Sequence, residues 1–358
     1  MQQSRRTATL LIASSLLSLA SFGLVHAQES APLPADVPAG TKLVVGDPQT
    51  KVALQLSGLI DEIPFEIEWT NLSGGPQTSE AFRARALDVG SVAEIPSIFA
   101  NWNDLPVRNI AYREREDPIG HPIYRFGIAP GVDVKTLADF RGKRIAFSPG
   151  QAQGALVLRA LQAAGLTRDD VTLVELPSTG DVYPVALASH QVDVAPIGGV
   201  YIRRYVNQYG ADGATVIEHG LRDDPSHLYA PQWVLDDPAK AAALAVYVGF
   251  WARATQWVNE NPEAWVEGYY VGDQGLSKED GEYLVELVGN QIIPDNWDEV
   301  VARHQKTIDL LGAELGYEPF SAENIFDRRF ETIAAAALSA KETSLNLEFR
   351  DDLCDQQP

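Results

Sequence analysis

The sequence predicts an α/β protein whose parallel sheets carry helices on both faces. Two observations lead there. Short strand-like segments alternate with helix-like segments from Lys42 to Ile217, and repeated strand–helix units of this length build parallel sheets. The chain has 358 residues, and about 330 remain after an apparent leader, enough for two domains of the usual ~100–200 residues each.

The leader is residues 1–27. Arg5 and Arg6 precede an apolar and small-residue run from Ala8 to Val25, and Val25-His26-Ala27 ends in the small-x-small pattern of a cleavage site. That is a signal peptide, with an apolar core shorter than the ~20 residues of a membrane span. Ser4-Arg5-Arg6 only faintly suggests twin-arginine export, because Ala8 and Thr9 stand where an apolar pair belongs. The expected mature protein is exported and is a free, soluble protein outside the cytoplasm. Residues 28–41, with Pro32, Pro34 and Pro38, read as a spacer.

Lys42–Gly46 is a short apolar strand, Val52–Ile60 has helical spacing, and Phe65–Thr70 alternates as a strand does. Ser79–Ala86 reads as a helix, Asp88–Gly90 as a strand end and Ile95–Asn101 as the next helix. A second series begins near Tyr124. Tyr124–Ala129 and Arg144–Phe147 are strands, and Gln153–Ala164 is a helix closed by Gly165. Val171–Leu176 and Val192–Ile197 are strands around a helix at Val182–Ser189, and Thr215–Ile217 is a further short strand. From Pro238 helices dominate: Ala239–Asn259, Pro262–Gly268, Lys278–Val288, Trp297–Leu315 and Ala322–Ala340. The tryptophans at 233, 251, 257, 265 and 297 are expected in the core, and residues 341–358 in a frayed tail.

The formal charge is −21, and −23 once Arg5 and Arg6 leave with the leader. This excludes nucleic acid and anionic membrane surfaces as partners, which need clustered lysine and arginine. The one cysteine, Cys354, lies in the tail and forms no internal disulfide. The histidines at 121, 190, 219, 227 and 304 lack metal-ligand spacing, so neither metal nor cofactor is expected.

Three strand-to-helix turns carry candidate chemistry, because ligands in open sheets bind beyond the carboxyl ends of strands beside helix N-termini. They are Asp88–Ala100, Gly142–Gly154 and Gln191–Tyr201. None has a Walker or dinucleotide pattern. In the second, Ser148 to Gly154 presents backbone N–H groups and short polar side chains to an anion.

Together these segments resemble the periplasmic solute-binding proteins of ABC importers, in the branch that handles aliphatic sulfonates, taurine and nitrate. The resemblance runs from about Lys42 to about Leu311. It rests on Gly74-Gly75-Pro76-Gln77, on Asp88–Pro96, on Leu137–Leu166, which is similar to "ADL-x-GK-x-VAF-x-x-G" and the "LLLRAL-x-x-AGL" helix after it, and on Ala186–Asp193, similar to "A-x-x-SG-x-VDA". It implies a two-lobed, type II-like fold and a monomer that hands a small organic anion to an ABC permease with a cytoplasmic ATPase. Lobe one is expected at 42–122 plus 231–340, and lobe two at 123–230. The crossings fall at His121-Pro122 and Ala230-Pro231, where prolines limit the backbone. The implied ligand contacts are Gln49, Thr50, Gln77, Ser91, Val92, Glu94, Ser148, Gly150, Gln151, Ala152, Gln153, Gly199 and Tyr201. Three departures stand among them. Ser91-Val92-Ala93-Glu94 replaces Gly/Thr/Gly/Asp, Gln151-Ala152 replaces Ser-Asn, and Gly198-Gly199 replaces Trp-Asp, which widens the cleft for a ligand larger than taurine. The same fold hosts a desulfinase that needs a cleft cysteine, which Cys354 does not supply. A secreted ligand-sensing domain is the other alternative.

Overall fold

A computed structural model describes residues 32–72, 74–223 and 225–339. The expected signal peptide, the start of the spacer and the tail with Cys354 lie outside these residues. The spacer's described part is not free of the fold, because Leu33 and Val37 pack against the main core.

The first series is β1 (Lys42–Gly46), α1 (Pro48–Ser57), β2 (Glu66–Trp69), α2 (Gly75–Arg83), β3 (Val89–Ala93), α3 (Glu94–Trp102) and β4 (Val107–Arg115). The second is β5 (Tyr124–Ile128), β6 (Arg144–Phe147), α4 (Ala152–Ala163), β7 (Thr172–Glu175), α5 (Val182–Ala188), β8 (Val194–Gly198), α6 (Val200–Tyr209) and β9 (Thr215–Ile217). The chain then returns through β10 (Ser226–Pro231) and α7 (Gln232–Leu235) to α8 (Pro238–Glu260), α9 (Pro262–Trp265), α10 (Lys278–Val288), β11 (Gln291–Ile292) and α11 (Asp298–Leu315).

One sheet has the order β11-β4-β10-β3-β1-β2 and the other β7-β6-β8-β5-β9. The expected parallel pairing holds for β2-β1-β3 and β7-β6-β8, where helices make the crossovers. The remaining neighbours are antiparallel. Those strands arrive by crossing between sheets or from the C-terminal helices, with no βα crossover to force parallel direction.

The chain passes from the first sheet to the second between β4 and β5. The return does not lie at Ala230-Pro231. β10 is embedded in the first sheet between β3 and β4, so the chain crosses back within 218–225 and residues 226–230 leave the expected second lobe. Pro231 is tolerated because it ends the strand, opposite Val107. Nor do the C-terminal helices all join the first sheet. Leu284 and Leu287 of α10 pack in the cluster of Ala195, Ile197, Ile202 and Tyr205 beside the second sheet.

Local chemistry explains the element ends. Asp47 caps α1 by accepting from the Thr50 N–H at 3.1 Å, and Asp237 caps α8 through Ala239 and Lys240. α8 is apolar on most sides and places Leu244, Tyr247, Val248 and Trp251 in the core. Trp265 and Trp297 are buried as expected, and Trp233 and Trp257 partly so. Ala322–Ala340 is not one helix. Two short 3₁₀ turns, Ala322–Ile325 and Arg328–Phe330, flank extended residues at which Phe326 bridges to Asn109 of β4.

Candidate functional site

The turn from β6 into α4 is built around Gly154. A Cβ there would lie 2.1 Å from the Ser148 carbonyl oxygen, so only glycine lets the turn close this tightly. The Gln151 N–H donates to that oxygen at 3.1 Å, and the Gly154 and Ala155 N–H groups donate to the Gln151 carbonyl. Gln151 is the N-cap but makes no side-chain capping bond. The N-terminus of α4 is therefore without the carboxylate that caps α1 or α8. The Ala152 and Gln153 N–H groups and the helix dipole remain available to a negative group. A Cβ on Gly150 would reach Phe99 of α3 at 3.8 Å, so the turn directly opposes a first-sheet helix.

Beside this turn, where β8 of the second sheet ends, lies a recess of about 250 Å³ whose lining includes Gln153, Ser178, Tyr183, Gly198 and Tyr201. Gln153 and Tyr201, expected to share a site, are brought together here. The Gln153 amide donates to the Ser178 carbonyl at 3.4 Å. Burial raises the Tyr183 phenol's pKa, opposed by a hydrogen bond with Ser148, so it stays a neutral donor. Gly199 is the N-cap of α6, with φ 55° and no side-chain cap, a backbone that favours glycine, and a Cβ on Gly198 would lie 2.6 Å from the Tyr124 ring. Arg203 and Arg204 further along α6 pair with Glu279 and Asp280 of α10 instead of standing alone in solvent.

The first-sheet candidates do not converge on this recess. Gln49 and Thr50 border a separate hole of about 10 Å³ beside Arg113, room for about one water. The Arg113 guanidinium is buried. It lies 4.8 Å from the Trp251 ring centre and donates to the Thr255 hydroxyl at 2.8 Å and to the Gln49 amide oxygen at 3.2 Å. Thr50 Oγ1 is buried without a partner. Gln77 is exposed on α2. Ser91 and Val92 are not in a turn after Gly90, because β10 pairs alongside Gly90–Ala93 and extends the strand. Val92 consequently packs in the core with Phe82, Leu87 and Tyr229. Gly150 and Ala152 are half-buried in the α4 turn.

Glu94 is not a free acceptor for a ligand. Its carboxylate accepts from Arg159 of α4 at 2.8 Å and from the Thr307 hydroxyl at 2.7 Å, and lies 3.4 Å from His304 Nδ1. Burial opposes its ionisation, but Arg159 and these partners outweigh burial and hold its pKa at about 2. Burial lowers His304 to about 4, with Glu94 opposing, and lowers the neighbouring His227 as well. Both histidines are therefore neutral when folded. The unfolded chain takes up protons below about pH 6.5 while folded His304 does so only near 4, so stability is lost as pH falls through that window. His304 contributes to that loss because burial disfavours its charged form. Urea unfolding of His304→Gln between pH 7 and 4 is expected to show a shallower loss than the parent, and an unchanged slope would contradict this assignment.

Sequence reasoning missed β4 and its buried Asn109, Arg113 and Arg115. It also missed Asp223, which pairs with Arg115 and accepts from the Tyr124 N–H at 2.9 Å, joining both crossings. The local signal for β4 was the short apolar run Ile110-Ala111-Tyr112, flanked on both sides by polar and charged residues. Among the described residues, no helix is long and apolar enough to cross a membrane.

Residues 72–216 match the profile of the NMT1/THI5 like family. A putative aliphatic sulfonates-binding protein of Escherichia coli K12 is 34% identical over 106 residues, which is 30% of this chain and 32% of that protein. The match thus spans about a third of that relative. The structure of the periplasmic aliphatic sulphonate binding protein SsuA from E. coli superposes with TM-score 0.66 at 20% identity, over 81% of this chain and 92% of that one. The alkanesulfonate-binding SsuA from Xanthomonas axonopodis pv. citri, bound to MOPS, gives 0.63 at 20% identity, over 85% and 99%. The desulfurization enzyme DszB shares the architecture, at 0.57 and 16% identity over 84% and 99%. The chain thus carries an NMT1/THI5-like segment on the α/β fold of periplasmic binding proteins.

Proposed function

We propose that this protein is a periplasmic solute-binding protein that captures a small organic anion of the aliphatic sulfonate type and delivers it to an ABC permease. The anionic head is held at the Ser148–Gln153 turn, and the body lies in the recess against Tyr201. One observation carries this reading: α4 begins at a tight glycine turn with no acidic cap, next to an open recess. Its dipole and N–H groups favour a negative charge by ~0.3–2 kcal/mol without any lysine, which lets an acidic protein bind an anion. Ser148 and Gln151 add side-chain donors, and hydrogen bonds to a charged head are about twice as strong as neutral ones.

Calorimetric titration with a sulfonate panel tests this. Replacing Ser148 and Gln151 together by alanine is expected to weaken binding by roughly 1–3 kcal/mol with little change in melting temperature. Normal binding with a lowered melting temperature would mean that these residues only shape the turn. The shared fold with a desulfurization enzyme makes a second assay necessary. Sulfite release that survives repurification and vanishes in a recess variant would replace binding by catalysis.

A further inference from the structure

We propose a second small-organic-anion site, in the cavity of about 340 Å³ enclosed by α4, α11 and the return crossing. It is independent of the α4 turn, because Arg159 stands seven residues along α4 from Ala152, about 10 Å away at 1.5 Å per residue.

The cavity is locally basic in a chain of charge −21. Arg159, Arg222, Arg303 and Lys306 line it. Arg159 is neutralised by Glu94. Arg222 and Arg303, by contrast, share one carboxylate, that of Glu114; Arg303 also donates to the Tyr112 hydroxyl at 3.2 Å, and the other carboxylate near it is the solvent-exposed Glu299 at 3.6 Å. No carboxylate of the described residues lies within 4.0 Å of Lys306 Nζ. Asp223, also in the wall, is committed to Arg115. The side facing the ligand therefore carries an excess of positive charge. His304 in the same wall keeps Nε2 buried without a partner.

Leu221, Pro225, Val300, Leu310 and Ala163 form the apolar part of the wall, and Tyr112, Gln162 and Thr307 complete it. A cationic edge over an apolar floor fits an anionic head on a short alkyl body, and the volume is at the lower end of the ~300–1,000 Å³ usual for ligand pockets. Because Arg159 stands on α4, which follows a second-sheet strand, and Tyr112 on β4 of the first sheet, such a ligand would touch both halves of the protein.

The test is calorimetry with 1-hexanesulfonate on the whole protein and three variants, each checked for an unchanged melting temperature. Lys306→Glu reverses an exposed charge at the cavity, and Ala163→Trp fills its exposed edge without altering charge. The third is the Ser148/Gln151 double alanine variant. The expected result is two bound equivalents. Lys306→Glu and Ala163→Trp each weaken one by at least about tenfold, and the double alanine variant weakens the other. A single equivalent lost only in Lys306→Glu and Ala163→Trp would support this cavity and refute the α4-turn reading. A single equivalent lost only in the double alanine variant, or no binding at all, would overturn the cavity site.

Discussion

Asp223→Ala is expected to lower unfolding stability by about 3–5 kcal/mol, the usual cost of removing one partner from a buried ion pair. Arg115 and Asp223 are both nearly solvent-free, at 5% and 1% side-chain exposure. Without the carboxylate, the Arg115 guanidinium keeps its desolvation penalty and loses that partner. The Tyr124 N–H also loses an acceptor at the start of β5. The bond network ties the end of β4, the start of β5 and the return crossing at one point, so both connections between the sheets loosen together. Asp223→Asn retains an acceptor for Tyr124 and is expected to cost less. Urea unfolding at neutral pH measures both, and a loss under about 1 kcal/mol for the alanine variant would show that water or rearrangement replaces the pair.

Glu94→Ala is expected to cost about 3 kcal/mol, toward the low end for a buried pair, because Arg159 is 24% exposed and can turn outward. Thr307 and His304 lose the same partner. The result also separates two roles for Glu94. A network residue joining α3, α4 and α11 lowers stability when removed and leaves sulfonate affinity at the α4 turn largely intact. A ligand acceptor would do the reverse. Combining Glu94→Ala with Arg159→Met is expected to recover part of the loss, since the pair then leaves no charge behind.

The sequence was most legible where structure is local. Arg144–Phe147 and Lys278–Val288 have the bounds their patterns predict, and α4 is offset by one residue at each end. β4 was illegible because Arg113 and Arg115 are buried by partners elsewhere in the chain, Trp251, Thr255 and Asp223. No local pattern announces such partners. β10 was hidden differently. Leu228, Tyr229 and Ala230 are all buried, so the strand shows no alternation, and its closing proline resembled a boundary.

The site divides the same way. The Ser148–Gly154 turn could be read from glycine spacing and a helix start. The first-sheet half could not, because β10 decides whether Ser91 and Val92 sit in a turn or a strand. Arg159, eight residues past Gln151, decides whether Glu94 is free.

The most direct measurement is a crystal structure of the protein grown with saturating ethanesulfonate. Sulfonate oxygens are expected at about 2.7–3.2 Å from the Ala152 and Gln153 backbone nitrogens, with the alkyl chain in the recess toward Tyr201. Ethanesulfonate bound elsewhere, with the α4 turn unoccupied, would contradict this placement.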